Sequence, residues 1–173
     1  NCYLVEGYTD VISLNMVGIE NVVASSGTSL TVEQIRLIRR YTPNITILYD
    51  GDAAGIKASF RGIDMILEEG MNVKIVLFPN GEDPDSFARK KRPLEVRDFI
   101  KQQASDFITF KTKLLTAETA NDPIKKANLI KEIVGSIAII PDEIIRSVYI
   151  RECSAAMKMQ ELSSFCWMKP RAN

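Results

Sequence analysis

Four short apolar runs, CYLVE (2–6), NVVAS (21–25), ITILYD (45–50) and NVKIVLF (72–78), recur with a helix-length segment between each and the next. They are bounded by turn residues and the third is rich in β-branched residues, the pattern of buried strands. The intervening DVISLNMVGI, TVEQIRLIRRY and AAGIKASFRGIDMILEEG have helical spacing. Gly18 and Gly70 stand where helices close, and Thr31 with Gln34 has the spacing of a capping box. Strands separated by helices of this length must be joined by crossovers, so the sheet is parallel. Right-handed crossovers then bring the C-terminal end of every strand to one edge.

After Pro79 the pattern changes. DSFARKK, PLEVRDFIKQQ, SDFITFKTKLLT, DPIKKANLIKEIVGSIAII and PDEIIRSVYIRECSAAM all carry helical period, with Asp122–Pro123 and Pro141 as helix starts, and no strand signal returns. The expected architecture is an α/β domain over 1–103 followed by an all-helical region over 104–173. The chain begins at Asn1 with a strand already under way, so it reads as an excised fragment.

The common edge is acidic. The first strand ends in Glu6–Gly7, the third in Asp50–Gly51–Asp52, and the fourth leads into PNGEDPDSF with Asp83 and Asp85. The second ends in SSGTS, whose Gly27 and Thr28 suit backbone contact with an anion. An aspartate at a strand-to-helix turn is commonly only an N-cap, and Asp52 or Asp85 alone would be read so. Three strand ends that each close in an acid beside glycine or proline are harder to explain by capping. Gathered together, such carboxylates repel one another unless a cation neutralises them. A chain without histidine offers an all-oxygen donor set, which selects Mg²⁺ or Mn²⁺, two or more ions, and excludes zinc. Carboxylates with such ions are the apparatus of phosphoryl or nucleotidyl transfer.

Other chemistry is excluded by what the chain lacks. Without histidine there is no Ser-His or Cys-His dyad. Cys2, Cys153 and Cys166 are odd in number and far apart, which speaks for a reducing cytoplasm. No apolar run approaches the ~18 residues of a membrane span. The formal net charge is zero, so no basic field grips a duplex. Lys57 and Arg61, on the helix after DGD, are within reach of phosphates, though both also suit a solvated helix face. The run RKKRP (89–93) is either surface or a template contact.

In order and spacing, VEGYTDVISL, ASSGTSLT, LYDGDAAGIKAS and LFPNGEDPDSF resemble the Toprim domain of bacterial DnaG-type DNA primases. IIPDEIIRSVYIREC resembles the helical subdomain that closes the primase RNA polymerase core. The resemblance implies a DNA-dependent RNA polymerase that makes primers for DNA replication. It makes Glu6, Asp50 and Asp52 catalytic acids and, with Asp83 and Asp85, metal ligands. Tyr8 and Asp10 match the primase EGY-x-D element and would shape the nucleotide site, unless Tyr8 packs on the sheet and Asp10 caps the first helix. Implied partners are single-stranded DNA template, RNA primer, ribonucleoside triphosphates and, through a C-terminal domain outside this chain, a replicative helicase. The fragment is expected to be monomeric and weakly active by itself. The same fold also serves topoisomerases and nucleases, and non-catalytic DNA-binding modules of recombination mediators.

Overall fold

The computed structural model describes residues 1–26, 30–50, 53–79, 81–116 and 123–156. The elements run β1 (Cys2–Val5), α1 (Tyr8–Met16), β2 (Val22–Ala24), α2 (Val32–Arg39), β3 (Asn44–Tyr49), α3 (Ala53–Glu68) and β4 (Asn72–Leu77). They continue with α4 (Pro84–Lys90), α5 (Pro93–Gln103), β5 (Ser105–Asp106), α6 (Phe107–Thr116), α7 (Pro123–Ala138) and α8 (Glu143–Ala156). Two compact units result, residues 1–66 with 71–105 and residues 67–70 with 106–173.

The sheet order is β2-β1-β3-β4-β5, and β1 runs parallel to β2 and β3, as β3 does to β4. The chain leaves β1 to one side for β2 and returns to the other for β3, so the switch in strand order falls between β1 and β3. In open α/β sheets that crevice is where ligands bind. Central β3 is buried along Ile45–Tyr49, as an interior parallel strand must be. Local signals behave as their physics requires. The Thr31 hydroxyl accepts from the Gln34 N–H while Gln34 accepts from the Thr31 N–H, and Gly18 and Gly70 take positive φ of 79° and 74°. One expectation fails: a strand does reappear, since Ser105–Asp106 forms β5. Two residues are too few for any period to register.

The core of this unit includes Val5, Leu14, Leu48, Val76 and Phe78, with Phe87 of α4 and Val96 and Ile100 of α5. Phe87 meets Phe78 edge-on at 5.2 Å between ring centroids, and Phe99 tilts against both. These rings hold α4 beside the end of β4. The second unit is a bundle of α6, α7 and α8 around Phe107, Ile108, Leu129, Ile133, Ile137 and Cys153. There Asp142 caps α8, its Oδ1 accepting from Ile144 and Ile145 N–H, so the cap lies one residue past Pro141. Among the described residues no helix is long and apolar enough to cross a membrane.

Candidate catalytic edge

Hydrogen bonds that continue the sheet past its strands fix the acidic edge. Ser25 N–H donates to the Val5 carbonyl at 3.0 Å, Ser26 N–H to the Glu6 carbonyl at 3.1 Å, and Phe78 N–H to the Tyr49 carbonyl at 3.0 Å. Ser26 holds a left-handed φ of 61°, uncommon outside glycine, directly beside the Glu6 backbone. The β1–β3 register pairs Leu4 with Ile47. Continued by two residues, it sets Glu6 level with Tyr49 and one step from Asp50. Strand spacing and rise then separate the two Cα atoms by about 6 Å. Glu6 is exposed and Asp50 half-buried.

Asp83 and Asp85 are placed differently. Asp83 is the N-cap of α4: its Oδ1 accepts the Ser86 N–H at 2.6 Å and Pro84 follows at the first helical position. The capping role considered for Asp85 therefore belongs to Asp83, while Asp85 sits inside the first turn. Its Oδ1 accepts the Ser13 hydroxyl and, at 2.8 Å, the Arg89 Nε–H. The Ser13 hydroxyl holds the Asp85 carboxyl below the usual carboxylate range; burial opposes it, and the Arg89 hydrogen bond and charge add to the lowering. Asp10 is buried, and it is a cap. Oδ2 accepts the Gly7 N–H at 3.0 Å and Oδ1 the Asp85 N–H at 3.1 Å. Burial pushes the Asp10 carboxyl up, the two N–H donors pull it down, and Asp83 and Asp85 push it up further.

Of the five carboxylates expected to gather, Glu6, Asp50, Asp83 and Asp85 lie among the described residues. Among the described residues no three acidic, cysteine or histidine side chains stand together so as to hold an ion. Glu6 and Asp50 reach neighbouring strand ends, whereas Asp83 caps its own helix through Ser86 and Asp85 joins α4 to Asp10 and Ser13 of α1. Asp52, Gly27 and Thr28 lie outside the described residues, as does the side chain of Lys57. Tyr8 is 70% exposed and does not pack on the sheet. The basic run is half occupied locally, Arg89 on Asp85 and Lys90 on Glu82 at 3.2 Å.

Sequence reasoning missed Ser13. The signal was present: Asp10, Ser13 and Leu14 form the buried face of α1, and two polar residues on an inward helix face need partners. A cavity of about 610 Å³ lies at the opposite ends of the strands, lined by Asn1, Asn21, Asn44, Asn72 and Lys101 among others, and is not the space above the acids.

Residues 3–88 match the family model described as Toprim-like, and residues 110–161 match the DnaB-helicase binding domain of primase. The DNA primase of Clostridium acetobutylicum is 37% identical over 161 residues, which are 91% of this chain and 26% of that protein. A DNA primase domain from Pseudomonas aeruginosa superimposes with a TM-score of 0.81 at 30% identity, over 95% of this chain and 53% of that one. A DnaG primase catalytic domain bound to single-stranded DNA gives a TM-score of 0.77 at 31% identity, over 89% and 51%. The chain thus spans about a quarter of the curated relatives it matches and about half of the catalytic domains. Helicase contact was expected wholly in a domain beyond this chain, yet the helicase-binding match falls within it. The chain belongs to the bacterial DnaG-type DNA primase family, as the Toprim-containing part of the catalytic core.

Proposed function

We propose that this chain is the metal-binding catalytic part of a primase, a DNA-dependent RNA polymerase that joins ribonucleotides into primers on a single-stranded template in the bacterial cytoplasm. The observation that carries the reading is the pairing of Glu6 and Asp50 at neighbouring ends of parallel strands, on the two sides of the switch in strand order. The donor set fits a hard divalent cation: carboxylates alone, in a chain with no histidine. Glu6, Asp50 and Asp52 would hold the ion or ions. The Oδ2 atoms of Asp83 and Asp85 supply the second pair, since each residue's Oδ1 is already engaged. Bound Mg²⁺ or Mn²⁺ would lower the pKa of the attacking 3′-hydroxyl and offset charge at the α-phosphate.

The chain's own residues have simpler tasks. The Glu6 backbone is held by Ser26 at the end of β1, where its exposed carboxylate would serve as a ligand, and exposed Tyr8, two residues on, would offer a ring for a nucleotide to rest on. Gly27, Thr28 and Lys57 remain candidate phosphate contacts. Domain assignment follows the same logic, 1–103 as the Toprim domain and 104–173 as the helical subdomain. The match of 110–161 to a primase helicase-binding model favours primase over a topoisomerase, nuclease or recombination-mediator module. It also supports reading part of the replicative helicase contact in these helices.

Calorimetric Mn²⁺ titration tests the site. The parent chain should bind, and Asp50→Ala and Asp52→Ala should each lose most of the heat; equal heats in all three would discard the metal assignment. A primer-synthesis assay beside an intact primase should find the chain alone nearly inactive, and comparable rates would contradict this division of labour.

A further inference from the structure

The geometry points to Asp10 and Ser13 as positioning residues that set the spacing between the strand-end acids and the α4 acids, with Asp10 itself bound to no ion. This inference rests on the metal-site reading above. Asp10 is 7% exposed and both its oxygens accept backbone N–H groups. One donor is Gly7, the residue after Glu6, and the other is Asp85, 75 residues further along than Asp10. A single planar carboxylate thereby joins the turn carrying Glu6 to the first turn of the helix carrying Asp85. Each Asp10 oxygen already accepts one N–H and the side chain is buried, so a cation there would have to share an oxygen with one of these donors.

Ser13 completes the arrangement from the next turn of α1. It is 6% exposed, and its hydroxyl donates to Asp85 Oδ1, the oxygen that also takes Arg89 at 2.8 Å. Two donors on one oxygen fix the rotation of the carboxylate and leave Oδ2 as the atom turned toward a ligand. Phe87 packing on Phe78 places α4 broadly, but rings in contact at 5.2 Å tolerate sliding that a carboxylate between two N–H groups does not. Metal affinity depends on such supporting contacts nearly as much as on the ligands themselves.

In Mn²⁺ titrations of this chain, Asp10→Asn and Ser13→Ala are each expected to weaken binding about 10- to 100-fold with the number of ions unchanged. Thr46→Val is the control. It removes a buried hydroxyl that bonds Asn1 Oδ1 at 3.2 Å, at the other end of the strands. Its affinity should match the parent even where its melting temperature falls as far as that of Ser13→Ala. Parent-like affinity in Asp10→Asn and Ser13→Ala, or loss of one ion from the count in Asp10→Asn, overturns the assignment. Should the parent bind no Mn²⁺, the metal reading fails by itself and amide exchange at Asp85 decides the clasp. Slow exchange in the parent that accelerates at least tenfold in Asp10→Asn supports it; equal rates overturn it.

Discussion

Among the described residues each unit buries one side chain of the carboxylate or ammonium kind, and the two are stabilised in different ways. Asp10 in the sheet unit is met by backbone N–H groups from two distant segments. Lys111 in the helical unit, 1% exposed, is met by side chains: Ser136 Oγ at 2.9 Å, Glu132 at 3.4 Å, and the face of Phe107 at 5.5 Å from the ring centroid. Backbone donors cannot be relieved by substitution, because removing the acceptor leaves the N–H groups in place. Side-chain partners can be replaced along with the charge. A buried charge held by backbone therefore fixes geometry, whereas one held by side chains mainly fills the interior of a bundle.

The strongest challenge to that distinction is Asp10→Leu. It leaves two partly buried N–H groups without acceptors, at about 1–3 kcal/mol each, and should cost the sheet unit about 2–4 kcal/mol in urea unfolding. A cost near zero would mean that water replaces the carboxylate and that Asp10 does not organise the turn. A smaller effect is expected of Ser136→Ala, which takes one of several partners from the Lys111 ammonium and should cost about 1.5–2 kcal/mol. Smaller again is Lys111→Met: an apolar side chain of similar length replaces the buried cation, and the Glu132 carboxylate it leaves behind is 51% exposed and can be solvated. The expected change is within about 1 kcal/mol of the parent by the same denaturation. A loss as large as that of Asp10→Leu would erase the difference between the units.

The same contrast marks what the sequence made legible. Capping at Thr31 and Gln34, closure at Gly18 and Gly70, and the start of α7 at Pro123 are decided within one turn of chain, so residue order alone exposes them. The parallel sheet follows from the length of the segments between strands, and the acidic edge follows from the sheet. Ser13 and Asp85 are 72 residues apart, and no local pattern announces a bond between them. The identity of the α4 cap turned on a single residue, since both Asp83 and Asp85 flank Pro84 and only the helix start distinguishes them. The pairing of Arg89 and Lys90 with nearby acids was similarly hidden in what read as an unbroken basic run.

Alkaline titration separates the units by a subtler measure. Burial raises the Cys2 thiol in the sheet unit, opposed by the nearby terminal amine. In the helical unit burial raises both the Cys153 thiol, opposed by the Thr112 hydroxyl, and the Tyr149 phenol, which Asp106 raises further. A group whose folded pKa lies above its unfolded value keeps its full contribution below the unfolded value and loses it as pH rises. For the two thiols the decline begins near their ordinary value of 9.0 and for the phenol near 10.0, continuing through the raised values. Among the described residues the helical unit, with the Cys153 thiol and the Tyr149 phenol against the Cys2 thiol, should therefore lose stability more steeply above pH 10, as amide exchange in α7 and α8 compared with β3 and β4 would register. Cys153→Ala and Tyr149→Phe should together flatten the helical unit's dependence to less than that of the sheet unit. Were the slope unchanged in the double variant, some group other than the Cys153 thiol and the Tyr149 phenol would be titrating in the bundle, and the contrast between the units would have to be drawn without them.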